Sequence, residues 1–360
     1  MALSAGDIAI IGVNTDGDDS FSFVALANIA PGETIFFTDN AYVSDLDGMG
    51  NPGLRGTEGT LQYTVPAAGL AAGQVVSFTG PAGTGDLPLA TDPPTAGFSR
   101  AIFDPSGFSL TVAGDQILVF QGDVDFGGAS ISNTRYIYAL QTNSTEFQSS
   151  LTNTTPNIAN LSELPPGLTV GQTAVAVGVG AGDLDETDNA VYDTSSAITS
   201  GTRGQLLSAL STVSNWTQDN DPLTLPPGPL TAVLPDLAIA GTTATANEGN
   251  TGGPTNLTFT VTRTGADTSS TARVAYAVTG SGANAATADD FVGSVLPSGT
   301  VEFPANSTSQ TITIPVQVDT AIEPDEGFTV TLSNAFGNAQ LGATTAATGT
   351  ITNDDFPPPP

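Results

Sequence analysis

Cysteine, histidine and lysine are all missing from this 360-residue chain, and its only basic side chains are six arginines facing 36 acidic residues. Each absence removes a branch of chemistry. Without cysteine there is no disulfide, no thiolate metal site and no cysteine nucleophile, so core burial and bound ions are left to stabilise the fold. That argues against a small secreted domain stapled by disulfides. Without histidine the usual general base is gone, and zinc and copper sites lose their commonest ligand. Without lysine, Schiff-base chemistry and lysine-dependent phosphate-loop binding are gone as well. No G-x-S-x-G elbow occurs. A glycosidase-type carboxylate pair is the one device that counting leaves open, because 36 acids provide pairs by chance. The chain therefore reads as non-catalytic.

Long apolar runs are also absent. No stretch approaches the roughly 18 apolar residues of a membrane span, so no membrane insertion is expected. Residues Met1 to Ile11 lack the basic start and long apolar stretch of a signal peptide. Export by another route, or membership of a longer chain, is the expectation. The formal charge of −30 repels phosphate backbones and anionic membranes, which excludes nucleic acid as a partner. Scattered acids keep an extracellular protein soluble. Clustered acids call for a cation.

What is present is glycine (41), proline (25) and short runs rich in threonine and valine, a composition that favours many strands and turns over helices. The predicted fold class is all-β, with two β-sandwich, immunoglobulin-like domains in tandem joined by a Pro-rich linker. The length suits about two domains. Five prolines interrupt the stretch Asp221–Asp236, which sets the predicted boundaries: a first domain over 1–221, a linker over 222–235 and a second domain over 236–356. Pro357 to Pro360 read as a polyproline spacer leading to further domains.

In the first domain IAIIGVN, FSFVALANI, ETIFFTDN, GTLQYTV, QVVSFTG, FSLTV, QILVF, TRYIYAL and TAVAVGV read as strands between turn residues. GQLLSALSTVSNW (Gly204 to Trp216) carries a helical stripe of Leu206, Leu207, Leu210 and Val213. The opening LSAGDIAIIGVNTDGDDSFSFVALANIAPGETIFFTDNAY, with GLAAGQVVSFTG and SLTVAGDQILVFQG, resembles the lamin-tail-like domain of large bacterial exoproteins. That resemblance implies an immunoglobulin-like sandwich of the kind that precedes nuclease or phosphatase domains.

In the second domain LAIAGTTATA, LTFTVTR, TARVAYAV, GTVEF, QTITIPVQV, FTVTLS and TGTITN read as seven half-buried strands, A to G, of a Greek-key sandwich. If successive strands run up and down, the A–B, C–D and E–F connections and the end of G share one pole. Glu248 falls in A–B, Asp290 in C–D, Asp319, Glu323 and Glu326 in E–F, and Asp354 with Asp355 after G. Arg263 and Arg273 fall at the other ends of strands B and C. Seven converging carboxylates without a local counter-charge favour a hard divalent cation, and calcium, which takes about six to eight oxygens in flexible geometry, suits loops better than magnesium.

The pieces ATANEGN, ATADDF, SGTVEFPANSTSQTITIPVQVDTAIEPDEGFTVTLSNA and GTITNDD, in that order, resemble the Calx-beta family over the whole second domain. The resemblance implies that calcium is bound by Glu248, Asp290, Asp319, Glu323, Glu326, Asp354 and Asp355, with the Ala321 carbonyl as a backbone ligand. Val318 and Thr320 flank Asp319 where richer members carry consecutive aspartates, so one or two ions are expected. TDGDD (Asp16, Asp18, Asp19) and DLDETDN (Asp183, Asp185, Glu186, Asp188) are fragments of a calcium loop without its full ladder, and ordinary turn chemistry explains them better.

These readings lead to a calcium-stabilised structural or adhesive module of a bacterial extracellular protein, in its most specific form a surface-fibre subunit. It would contact calcium and either itself, other surface proteins or glycans. The alternative is a pair of accessory domains from a larger secreted nuclease or phosphatase.

Overall fold

The computed structural model describes residues 2–45, 52–55, 59–80, 97–100, 108–111, 114–125, 130–151, 161–178, 188–195 and 197–356. The chain divides into two compact units, Met1–Val233 and Leu234–Pro360. Both are β-sandwiches. No helix of the described residues is long and apolar enough to cross a membrane.

The strands of the first unit are, in chain order, β1 (Ile8–Asn14), β2 (Ser20–Ala25), β3 (Thr34–Thr38), β4 (Tyr42–Val43), β5 (Gly53–Leu54), β6 (Thr60–Thr64), β7 (Val75–Thr79), β8 (Phe98–Arg100), β9 (Gln116–Asp125), β10 (Ser130–Gln141), β11 (Ala174–Ala176), β12 (Asn189–Tyr192), β13 (Ser200–Thr202), β14 (Trp216–Asp219) and β15 (Thr231–Val233). One sheet runs β14-β12-β1-β2-β7 and the other β11-β10-β9-β3-β6-β8. Phenylalanines join the sheets. Phe21 and Phe23 of β2 stand 5.1 and 5.0 Å from the Phe37 ring of β3, and Phe21 also meets Phe78 of β7 at 5.2 Å. Such ring pairs add about 0.5–1.5 kcal/mol each beyond the area they bury.

Two local expectations differ from the structure, and both have a physical cause. Phe108 to Thr111, part of the expected strand FSLTV, is not a strand. The amides of Ser109, Leu110 and Thr111 donate instead to the carboxylates of Asp39 (2.7 Å), Asp19 (2.9 Å) and Asp115 (3.1 Å), which replace a neighbouring strand as acceptors. The expected helix is α1 (Arg203–Leu210), opened by a capping box between Thr202 and Gln205. Leu206, Leu207 and Leu210 enter the core. Val213 does not: the helix stops at Leu210, a single 3-10 turn follows, and Val213 is 43% exposed.

The stretch 222–235, set apart above as a linker, is extended but seated within the two units. Leu223 exchanges hydrogen bonds with Asn14, Leu230 joins the first core, and β15 pairs in parallel with β13. Leu234 is buried in the second unit, where the Gln340 amide donates to the Pro235 carbonyl at 2.9 Å. Proline removes donors and not acceptors. A proline-rich segment can therefore dock through its carbonyls and apolar rings.

The second unit contains β16 (Asp236–Thr243), β17 (Thr245–Asn247), β18 (Thr255–Thr264), β19 (Ala272–Ser281), β20 (Ser298–Phe303), β21 (Ser309–Val316), β22 (Glu326–Gly337), β23 (Gln340–Leu341) and β24 (Ala346–Thr352). Its sheets run β21-β18-β16-β23 and β17-β24-β22-β19-β20. Strict alternation drives the packing: Leu257, Phe259 and Val261, then Ile312, Ile314 and Val316, then Phe328, Val330 and Leu332 all point into one core.

The expected strand A is two strands. The register shifts between Gly241 and Thr243, a Cβ at Gly241 would lie 2.6 Å from the Ala244 methyl, and after the break at Ala244 β17 continues in the opposite sheet from β16. A second close approach lies at Gly349 in β24. A side chain there would meet the Phe328 ring at 2.3 Å, in a core where Phe328 also packs edge-on against Phe259 and Phe291. Gly349→Ala should therefore destabilise the second unit by about 1–3 kcal/mol through overpacking. Gly253→Ala, with no atom within 4 Å of the new methyl, serves as the control and should stay within about 0.5 kcal/mol of the parent. Denaturant unfolding of the whole chain with each substitution measures both. Equal midpoints for the two variants would refute the packing assigned to Phe328.

Candidate metal centre

Strand direction assembles the site. β17 pairs with β24 in parallel, Asn247 opposite Thr352, so both strands leave their sheet toward the same side. Glu248 follows the first and Asp354 with Asp355 follows the second. β22 starts where β24 ends, with Glu326 opposite Ile351, and β19 ends there too, with Ser281 opposite Gly327. The connection after β19 then returns Asp290 to the same side, pinned by the buried Phe291, which bridges to Val316, and by the Gln317 amide donating to the Asp290 carbonyl at 2.8 Å.

The seven carboxylates fall into three overlapping groups among the described residues: Glu248 with Asp354 and Asp355, Glu248 with Asp319 and Glu323, and Asp290 with Glu323 and Glu326. Within each group the ligand oxygens lie within 4.8 Å of one another. Glu248 and Glu323 each belong to two groups, so the pole is one connected array. Ala321 lies in the same loop as Asp319, and its amide donates to Asp319 Oδ1 at 2.7 Å.

Two of these side chains are nearly inaccessible, Glu248 at 4% and Asp355 at 7% exposure, and Glu248 Oε1 and Asp355 Oδ2 have no hydrogen-bond partner among the described residues. A buried carboxylate oxygen without a donor is costly. The arginines of the second unit do not help. Arg263 lies about eight residues along β18 from Thr255, roughly 26 Å at about 3.3 Å per residue, against a screening length of about 8–10 Å. Its guanidinium donates to the carbonyls of Thr268, Ser270 and Asn338 at the opposite pole, and Arg273 stacks over the Phe336 ring at 5.3 Å.

At 4.8 Å two carboxylates repel by about 1 kcal/mol in water and about 3.5 kcal/mol at an effective dielectric of 20. Burial and this repulsion together raise the titration. Burial, then Asp319, Glu323, Asp354 and Asp355, push Glu248 up to about 7. Burial, then the charge and hydrogen bond of Asp290, push Glu326 up to about 7. Glu323 is raised by burial and by Asp319 and Asp290, and Asp355 by burial and by Asp354 and Asp319. A hard cation among these oxygens removes the repulsion and supplies the missing partners. All the donors are oxygen, which fits calcium and not zinc or copper.

Several contributors escape a reading based on acid counting. Asn353, Asp325 and Thr287 hold the loops: Thr287 donates from its amide and hydroxyl to Asp290 Oδ2 at 2.5 and 3.0 Å, and Asp325 Oδ1 accepts from the Asn353 amide at 3.1 Å. Their only sequence signal is adjacency to the acids. In the first unit, Asp19 accepts from a backbone amide and Asp16 Oδ2 from the Asn189 side chain at 2.9 Å, so TDGDD serves as a turn brace. Asp188 is buried, while Asp183, Asp185 and Glu186 lie outside the described residues.

Residues 243–355 match the family model of the Calx-beta domain. The apo form of the Calx CBD1 domain is 26% identical, with 33% of this chain and 99% of that one covered and a TM-score of 0.27. CBD12 from CALX1.2 is 29% identical, covering 33% and 46% at a TM-score of 0.27. The calcium binding domain CBD12 of CALX1.1 is 29% identical, covering 32% and 44% at 0.26. The chain thus spans under half the length of the CBD12 structures. No curated protein matches the chain.

The raised carboxylates fix the sign of a pH effect. A group whose folded pKa lies above its unfolded value favours the folded state while protonated, and that contribution is lost as pH rises through the folded pKa. With Glu248 and Glu326 moving from 4.5 to about 7, the ion-free second unit should melt at a lower temperature at pH 8 than at pH 5. Calorimetry of the whole chain in chelator measures this, and Glu248→Gln should shrink the difference. A melting temperature that stays level, or rises, over that interval would contradict the electrostatics described.

Proposed function

We propose that the second unit binds calcium, and that the chain is a non-catalytic, calcium-stabilised structural or adhesive module of a bacterial extracellular protein, in its most specific form a subunit of a surface fibre. The observation that carries the calcium reading is the pair of buried, unpartnered oxygens, Glu248 Oε1 and Asp355 Oδ2, inside an array of seven carboxylates. Glu248, Asp290, Asp319, Glu323, Glu326, Asp354 and Asp355 would hold the metal, with the Ala321 carbonyl as a backbone donor. The match of residues 243–355 to the Calx-beta model supports the same reading. When bound, the metal supplies positive charge and fixed coordination in place of loop repulsion.

The extracellular role rests on composition. A net charge of −30 suits a dissolved, exposed protein, and a fold without cysteine gains from an ion that is plentiful outside cells. The first unit is read as a lamin-tail-like spacer or contact module, its faces available to another copy, a surface protein or a glycan.

Calcium that binds the folded pole and hardly binds the unfolded chain should stabilise by about 2.7 kcal/mol at 100 times its dissociation constant. A calorimetric scan of the whole chain in millimolar calcium against chelator should show one transition moving upward. Glu326→Gln and Asp355→Asn should weaken calcium binding by at least about tenfold, roughly one charge-assisted contact, while Asp16→Asn leaves it unchanged. Identical scans with and without calcium would remove the proposal. An equal loss from Asp16→Asn would move the site to the first unit.

A further inference from the structure

Asn353 is the one uncharged side chain in the run Asn353-Asp354-Asp355, and it is bonded on every side. Its Oδ1 accepts from the amide of Glu323 at 3.3 Å and from the amide of Asp355 at 3.4 Å. Its Nδ2 donates to the Asp355 carbonyl at 2.9 Å, and its own amide donates to Asp325 Oδ1 at 3.1 Å. Two of these bonds, with Glu323 and Asp325, tie the segment carrying Asp319, Glu323 and Glu326 to the segment carrying Asp354 and Asp355, and the two with Asp355 fix the turn of the latter segment. Every one of the three carboxylate groups has a member in one of those two segments.

We propose that Asn353 is a positioning residue that holds the two acid-bearing segments together before any cation arrives, a role that rests on the cation-binding reading of this pole. The chemistry explains why an amide occupies the position. Loop carboxylates at these separations repel, so an ion-free site drifts apart unless something neutral spans it. A carboxamide offers an acceptor and a donor on one flat group. An aspartate would keep the acceptor for the Glu323 amide but would lose the donor to the Asp355 carbonyl and add a further charge. An alanine would lose both. Binding to a site already assembled avoids the ordering cost that a collapsed or splayed pair of loops incurs.

The test measures the brace without the ion. Residue-resolved amide exchange on the whole chain in chelator should find the Glu323 and Asp355 amides protected, and Asn353→Ala should speed both by about tenfold or more while the Val330 amide in β22 keeps its rate. Asn353→Asp should speed the Asp355 amide as strongly and the Glu323 amide less. Calcium titration of the same proteins should show a several-fold higher midpoint for Asn353→Ala. Unchanged exchange at Glu323 and Asp355, or acceleration shared equally by Val330, overturns the proposal, the second because the substitution would then have loosened the whole unit. In a chain that binds calcium, an unaltered midpoint also overturns it. If the parent chain shows no response to calcium, the calcium reading falls, while the exchange comparison still decides whether Asn353 is a brace.

Discussion

The parallel pairing of β17 with β24 is the contact on which the second unit turns. It exists because the first strand of the unit, bulged between Gly241 and Thr243, breaks at Ala244 and continues in the opposite sheet, which brings Glu248 to the end of the unit where β24 finishes and β22 begins. Hydrogen-bonded ladders then hold carboxylates at separations that free loops would not tolerate. Burial first and the neighbouring carboxylates second raise the titration of Glu248, Glu323, Glu326 and Asp355.

Both units use aspartate to receive backbone amides, and they differ in how closely the carboxylates crowd one another. In the first, Asp19, Asp39 and Asp115 each accept from one of three successive backbone amides, so the carboxylates complete the hydrogen bonding of a segment with no strand partner. In the second, Asp290, Asp319 and Asp354 likewise accept from the amides of Thr287, Ala321 and Gly249, but each also lies in a carboxylate group whose oxygens are within 4.8 Å of one another. Arg203 pairs with Asp7 at 3.0 Å in the first unit, and in the second the Arg263 guanidinium donates to the carbonyls of Ser270 and Asn338 at the pole opposite the carboxylate array.

Much of the sandwich was readable from alternation, because Leu257-Phe259-Val261 and its counterparts obey a period of two that only a half-buried strand explains. The meeting of the acids at one pole was readable too, since each lies just past a strand end and strand direction alternates. Sequence pattern could not reveal what depends on tertiary partners. The segment 108–111 looks like a strand until three distant carboxylates take its amides. Val213 fits a helical stripe until the capping at Leu210 and Ser211 ends the helix early. The break at Ala244 is invisible because both halves carry strand-like residues. Asn353 was hidden for another reason: its importance lies in four hydrogen bonds to neighbours, and an asparagine beside two aspartates has no special pattern.

The β17–β24 pairing also has a bearing on the order of folding. Thr245 pairs with Thr350, so this contact closes a loop of about a hundred residues, and its entropic cost falls due before the contact can repay it. Such distant pairings form slowly. The carboxylate array is therefore incomplete in any partly folded chain in which β24 has not docked, and the group of Glu248, Asp354 and Asp355 comes into being only when it does. A cation in this group would act as a latch on the closed sandwich: it would have nothing to grip before β24 docks, and it would have to leave before β24 could peel away.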